Sequence, residues 1–95
     1  MSDVISSIRL PSRFDYGYHK QFSEAYSPFL ENASAKEVVL DFSFVEYIDS
    51  SALGMMVLMQ KKMNEKNKKI KIKGARGATQ EILNMANMQK LFEFV

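Results

Sequence analysis

Residues 37–54, EVVLDFSFVEYIDSSALG, contain the strand-to-helix turn around which the rest of the chain can be placed. The segment 37–43 is dense in β-branched and apolar residues, a composition that predicts a β-strand. Its run Val38-Val39-Leu40 does not alternate with polar residues, which predicts a strand covered on both faces. The apolar, methionine-rich segment 51–65 predicts a helix. A serine between these two elements therefore lies at the exposed mouth of the turn.

The remaining patterns predict one layered α/β domain that spans residues 1–95. Before the turn they predict a strand over 4–10, a loop over 12–17 and an amphipathic helix over 18–30. We expect a kink or break near Ser27, because Pro28 interrupts helical hydrogen bonding. After the turn they predict a half-buried strand near a sheet edge over 69–73, a helix over 79–86 and a short strand over 91–95. This alternation implies crossover helices and a mainly parallel or mixed four-stranded sheet.

The composition excludes several classes of protein. The 95 residues carry a net charge of +2, with 46% hydrophobic and 25% charged residues, as in an ordinary globular domain. There is no cysteine, so disulfides, thiolate catalysis and cysteine metal sites are excluded. The N-terminus lacks the basic and apolar regions of a signal peptide, and charges interrupt every apolar run before it could span a membrane. We therefore expect a cytoplasmic protein without a membrane segment.

The serine turn has three possible roles. Asp and Ser are preferred helix N-caps, so Asp49-Ser50-Ser51 can be a cap and nothing more. A nucleophilic serine needs a base that is held by a third group, but the single histidine, His19, is distant in sequence and Gly-x-Ser-x-Gly is absent. We therefore do not expect an enzyme. As a phosphoacceptor, the serine would place its phosphate at a helix N-terminus, where an anion is tolerated, and would charge any surface that docks a partner there.

The stretch from Val38 to Gly54 also resembles the STAS domain, and more narrowly the single-domain anti-sigma factor antagonists. The resemblance lies in Leu40-Asp41 followed by residues 47–54, YIDSSALG, and extends to Ile8-Arg9-Leu10, Asp15 and residues 86–92, ANMQKLF. It implies a STAS-like layered fold that is shortened at both termini. The family usually has glycine where Ala52 stands, which implies a tighter or differently shaped turn in this chain.

The resemblance implies a regulatory switch at Ser50, which matches the phosphoacceptor serine of the family. A serine kinase, often also the anti-sigma factor, would modify Ser50, and a metal-dependent PP2C-type phosphatase would reverse the change. The unmodified form would bind the partner and the modified form would release it, controlling transcription or a related bacterial output such as biofilm formation. The alternative is a STAS scaffold, or a module that binds a small ligand or nucleotide, without phosphorylation. No cofactor is implied, and monomer and dimer both stay open.

Individual residues around Ser50 have expected roles. Asp49 is expected to shape the turn and orient the Ser50 hydroxyl, Ser51 to cap the helix, Leu53 to anchor the turn in the core, and Gly54 to permit close packing of the helix start. A docking rim of Asp15, Tyr16, Glu46, Tyr47 and Ile48 is carried over from the family pattern by adjacency. The whole set of expected partner-binding residues is Asp15, Tyr16, Glu46, Tyr47, Ile48, Asp49, Ser50, Ser51, Ala52, Leu53, Gly54, Val57 and Leu58.

The second helix has two expected faces. Its core face carries Ala52, Met56, Met59 and Met63, which share one side at helical spacing. Val57 and Leu58 fall farther round, and if exposed they extend an apolar docking patch below Ser50.

The other charged clusters favour ordinary roles. A basic stretch lacks the interleaved aromatic residues of a nucleic-acid site and is expected to be a solvated face; it comprises Lys61, Lys62, Lys66, Lys68, Lys69, Lys71 and Lys73. The segment 74–77 lacks the spacing of a phosphate-binding loop and is expected to lead into the third helix. Asp41, Glu46 and Asp49 have no supporting second cluster of ligands, so a metal site is not expected.

Overall fold

The computed structural model describes residues 6–95 and places six strands and three α-helices in that part of the chain. The order is β1 (Ser6–Arg9), β2 (Arg13–Phe14), α1 (His19–Glu31), β3 (Glu37–Asp41), β4 (Tyr47–Ile48), α2 (Ser50–Glu65), β5 (Lys69–Lys73), α3 (Gly77–Met85) and β6 (Glu93–Phe94). Short 3-10 helices at Tyr16–Tyr18 and Met88–Lys90 precede α1 and β6. Of the first strand predicted over 4–10, Val4 and Ile5 lie outside the described residues.

Four strands form a parallel sheet in the order β1-β3-β5-β6, as the predicted α/β fold requires. The strand predicted over 69–73 has those bounds and lies near a sheet edge as predicted, with only β6 beyond it. It pairs with β3 on one side and, through Lys71 and Ile72, with β6 on the other. Its lysines therefore do not protect a free sheet edge.

The sheet buries one face and leaves the other polar. Val38 and Leu40 of β3, with Ile70 and Ile72 of β5, are buried in one cluster with the helices, whereas Val39 is only half-buried. The prediction that β3 is covered on both faces is therefore wrong. Val39 lies in register between Ser7 and Lys71, whose side chains share its face of the sheet, so polar neighbours surround it.

The helices differ from the prediction mainly at their ends. The break expected near Ser27 is wrong, because α1 runs through Pro28 to Glu31. Pro28 lies three residues before the end of the helix, where its missing N–H costs one helical hydrogen bond and does not stop the chain from continuing. Helix α2 begins one residue before its predicted start and α3 begins two residues before its own. Within residues 6–95, no helix has the length and apolar character needed to cross a bilayer.

Lys68 is buried and links two parts of the chain that are distant in sequence. Its Nζ donates to the carbonyl oxygens of Asn32 at 2.7 Å and Ala35 at 2.6 Å, in the connection between α1 and β3. Only 8% of the residue is exposed. The prediction of a solvated basic stretch is therefore wrong at this position, because these carbonyl groups need a buried donor.

Candidate functional site

The turn before α2 is organised by Asp49. This residue is the N-cap of α2, with extended backbone angles (φ −120°, ψ −179°), and its carboxylate accepts a hydrogen bond of 2.9 Å from the Ala52 N–H. The expectation that Ser51 caps the helix is therefore wrong. Ser51 is already the second helical residue, whereas the extended conformation of Asp49 lets its side chain reach the free N–H groups of the first turn.

Ser50 is the first residue of α2 and is exposed to solvent. Its hydroxyl therefore lies on the surface, at the end of a helix whose backbone N–H groups favour an anion. The carboxylate of Asp49 bonds to the backbone of Ala52, so Asp49 positions Ser50 through the conformation of the turn.

A second, two-stranded parallel sheet brings the expected rim to this turn. Strand β2 pairs with β4, so Arg13 lies beside Tyr47 and Phe14 beside Ile48. The Ser12 carbonyl also accepts hydrogen bonds from the N–H groups of Glu46 at 2.8 Å and Tyr47 at 3.0 Å. The prediction of a loop over 12–17 is thus wrong for Arg13–Phe14, and this pairing carries the following Asp15 and Tyr16 towards the strand that precedes Ser50.

The rim side chains are held by Arg13, which sequence analysis did not single out. Its Nε donates to the Asp15 carboxylate at 2.7 Å, and its guanidinium lies 4.4 Å from the centre of the Tyr47 ring. The Tyr16 ring, 65% exposed, stacks on His19 with the ring centres 5.0 Å apart. Only the β2–β4 pairing reveals the role of Arg13, because thirty-four positions separate it from Tyr47.

Two of the expected partner-binding side chains are buried. Ile48 is 4% exposed and Ala52 is fully buried, both within the hydrophobic core. Side chains alternate along β4, so Tyr47 points outwards and Ile48 inwards, and Ala52 lies on the core face of α2. The expectation that these two side chains contact a partner is therefore wrong. Leu53 is half-buried and packs against the core, as predicted for an anchor of the turn.

Helix α2 has the two faces that its spacing predicts. Ala52, Met56, Met59 and Met63 are buried in the core. The opposite side carries an exposed stripe, which we define as Ser50, Gly54 and Leu58, each four residues from the next. Leu58 is 48% exposed and Val57 beside it is half-buried, so apolar surface does extend from Ser50 along the helix.

Gly54 does not have the role expected of it. It is exposed, and a Cβ atom built on it meets no other atom within 4 Å, so it does not permit close packing of the helix start. A glycine inside a helix destabilises it by about 1 kcal/mol relative to alanine. Packing within the described residues does not compensate this cost.

Arginines also hold the segment between β3 and β4. The Arg9 guanidinium lies 4.7 Å from the centre of the Phe44 ring, and Arg76 donates to the Ser43 carbonyl at 3.3 Å. Together with Arg13 on Tyr47, these are all three arginines of the chain, and each contacts the segment 43–47. The planar guanidinium suits such stacking better than an ammonium group.

Asp41 forms hydrogen bonds that hold the start of the same segment in a turn. Its carboxylate accepts hydrogen bonds from the Ser43 hydroxyl and from the Ser43 N–H. These bonds, with a smaller contribution from the charges of Lys73 and Arg9, lower the pKa of Asp41 below its ordinary value. Gly74 lies against this turn at φ +80°, and a Cβ built on it would be 2.7 Å from the Ser43 hydroxyl oxygen, so only glycine fits. The chain then enters α3 through the segment 74–77, as predicted.

A family model described as "Mlab, STAS domain" matches residues 1–93 of this chain. The chain belongs to the STAS domain family. A STAS-domain containing protein of Pseudomonas aeruginosa is 31% identical over 87 residues, which cover 92% of this chain and 84% of that protein.

Solved structures of other STAS proteins share the fold. The Thermotoga maritima protein TM1081 has a TM-score of 0.83 and 17% identity, over 100% of this chain and 76% of that one. The anti-sigma factor antagonist SpoIIAA of Bacillus has a TM-score of 0.75 and 13% identity in its unphosphorylated form, over 100% of this chain and 82% of that one. Its phosphorylated form has a TM-score of 0.70 and 12% identity, over 94% and 80% of the two chains.

A groove lies beside the rim. A cavity of about 400 Å³ lies between the β3–β4 segment and the start of α3, lined by residues that include Phe44, Glu46, Arg76 and Thr79. Within residues 6–95, no three His, Cys, Asp or Glu side chains lie together in a way that could hold a metal ion. The turn therefore offers a hydroxyl, an exposed rim and an exposed helix stripe.

Proposed function

We propose that this STAS domain is a non-enzymatic phospho-switch protein. It binds a serine kinase or anti-sigma-type regulator when Ser50 is unmodified, and releases it when Ser50 carries phosphate. The observation that carries the proposal is the place of Ser50, which is exposed at the first position of α2, next to the rim and at the start of the exposed stripe. The fold shared with SpoIIAA, a protein solved in unphosphorylated and phosphorylated forms, supports it.

The charge of a phosphate on Ser50 would weaken binding of the partner. A phosphate adds a charge of about −1.5 to −2 at neutral pH, close in magnitude to the net charge of +2 of the whole domain. Asp49 and Glu46 are already near that position in sequence, so the phosphate would add a third acidic group to the docking surface. A partner would then have to desolvate this charge. A hundredfold loss of affinity needs only about 2.8 kcal/mol, which an uncompensated buried charge readily exceeds.

The proposed docking surface follows from exposure. Its rim consists of Asp15, Tyr16, Glu46 and Tyr47, its centre of Asp49, Ser50 and Ser51, and its lower part of Gly54 and Leu58 with the half-buried Leu53 and Val57. Of these side chains, the two tyrosines are of a type that is enriched at protein interfaces. A PP2C-type phosphatase would restore the binding form in the cytoplasm, and the output would be transcription or a related response such as biofilm formation.

Ser50 variants test the switch. The purified protein is incubated with ATP and an extract of the source bacterium, and the mass gained on each serine is mapped by mass spectrometry. We expect Ser50→Ala to gain no phosphate, whereas Ser51→Ala, which retains the Ser50 hydroxyl, still gains it. Phosphate on Ser51 in place of Ser50 would contradict the assignment.

A second experiment measures how tightly each variant binds the kinase, once that kinase has been purified from the extract by its phosphorylation of Ser50. We expect Ser50→Ala to bind as tightly as the unmodified protein and Ser50→Asp to bind at least tenfold more weakly, because the added carboxylate must be desolvated. Equal affinity of both variants for the kinase would refute the switch.

The groove beside α3 favours a second candidate function, the binding of a small ligand such as a nucleotide without phosphorylation. Its lining combines the exposed Phe44 ring with the side chains of Arg76 and Thr79. A nucleotide that raises the melting temperature in proportion to its concentration, in a protein that gains no phosphate in the extract, would favour this candidate.

A further inference from the structure

We infer that Gly54 is a contact point for the regulator: the bare helix backbone at Gly54 seats an apolar side chain of the kinase, and Lys61 faces an acidic residue beside it. This inference rests on the proposed function, because it assigns the partner chemistry of the surface that contains Ser50.

Folding provides no reason for a glycine at this position. Among the described glycines, only Gly74 and Gly77 have a positive φ, so Gly54 has a backbone conformation that any residue adopts. It is exposed, and the space into which a Cβ would project is open. Alanine would therefore fit and would stabilise the helix. A contact outside this chain explains the glycine.

The surroundings of Gly54 form a seat. Residues four apart lie on one side of a helix, so Ser50 and Leu58 flank Gly54 along the exposed stripe. Leu58 is 48% exposed, and Val57 next to it packs against the core. The missing side chain leaves the helix backbone at Gly54 uncovered between Ser50 and Leu58. An apolar side chain of the partner that packs there would contact both Leu58 and the helix backbone.

Lys61 adds a charge requirement to the chemistry expected of the partner. Lys61 continues the exposed stripe three residues after Leu58, and it has no salt-bridge partner among residues 6–95. An acidic residue on the partner therefore complements this end of the stripe. The partner chemistry is an apolar side chain followed by a carboxylate, presented by the kinase.

The experiment compares phosphorylation rates of Ser50 in the same extract with ATP, together with melting temperatures. We expect Gly54→Ala to melt at a higher temperature and to be phosphorylated at least tenfold more slowly, because its methyl group fills the seat. Asn64→Ala is the matched control. It also raises helix propensity at an exposed position of α2, about 15 Å farther along the axis, and should keep the wild-type rate.

Lys61→Glu tests the charged part of the inference. We expect it to slow phosphorylation severalfold at low salt, whereas Lys62→Glu, which changes an exposed lysine next to it on a different side of the helix, does not. A wild-type rate for Gly54→Ala, or a lowered melting temperature, would overturn the inference while the switch at Ser50 stands. Absence of phosphate on the wild-type protein would instead refute the proposed function and the inference with it.

Discussion

The side chain of Asp49 determines how Ser50 is presented. As the N-cap of α2 it bonds to the Ala52 N–H, so the helix begins at Ser50 and the hydroxyl falls at the first helical position. A change at Asp49 is therefore expected to act on helix stability and on the position of Ser50 together. A change at the exposed Ser51 should act on neither.

Asp49→Ala is expected to destabilise the protein by about 0.5–2 kcal/mol, because the Ala52 N–H loses its acceptor. Urea unfolding at neutral pH measures this difference. Asp49→Asn is the matched control, since an asparagine oxygen accepts the same bond and should retain most of the stability. Equal stability of the alanine variant and wild type would show that the cap is dispensable.

At the scale of elements, the connection between α1 and β3 is held by the side chain of one lysine. Lys68 lies just after α2 and bonds to two carbonyl groups in the connection between α1 and β3, so it joins both helices to the sheet. The pairing of β2 with β4 also connects distant parts of the chain, because it attaches the segment that carries Asp15 and Tyr16 to the strand before Ser50.

Lys68→Met is expected to lower the free energy of unfolding by about 1–3 kcal/mol, because two carbonyl groups lose a charged donor. Lys69→Met is the control at the next position. That lysine is exposed, so its replacement should change stability by less than about 0.5 kcal/mol. Chemical denaturation of the three proteins separates the two cases, and similar midpoints for both variants would contradict the role of Lys68.

Across the whole molecule, the polar face of the sheet is organised by charge. Lys71 lies 3.3 Å from a Glu37 oxygen and 3.8 Å from a Glu93 oxygen, and Asp41 stands in register between Arg9 and Lys73. Opposite charges on neighbouring strands support the parallel pairing. Since these groups are partly exposed, their contribution should weaken with added salt.

Acid should weaken the fold partly through Asp41. Its pKa is lowered in the folded state, so its contribution is fully present above the unfolded value and is lost as the pH falls through the lower folded value. NMR titration of the carboxyl carbon is expected to give a midpoint below 3.8 in wild type. Ser43→Ala removes the largest cause of the shift and should raise the midpoint towards 3.8. Identical midpoints in the two proteins would contradict this origin.

Local patterns were sufficient for most elements and for the turn itself. The alternation of Ile70 and Ile72 with lysines predicted β5, and the methionine spacing predicted the core face of α2, because periodicity alone determines which side chains share a face. The motif at residues 47–54 likewise indicates Ser50 from the sequence alone. These features involve residues close together in sequence.

The tertiary structure alone decided which side chains around Ser50 are exposed. Three contacts connect segments that are more than thirty positions apart in sequence. Ile48 pairs with Phe14, Arg13 lies beside Tyr47, and Lys68 bonds to the carbonyl groups of Asn32 and Ala35. Local preferences do not specify such contacts, since their free energy arises only when chain folding brings distant groups within hydrogen-bonding or packing distance. The amino-acid pattern thus determined the elements and the position of the turn at Ser50, and the packing of those elements determined the surface that surrounds it.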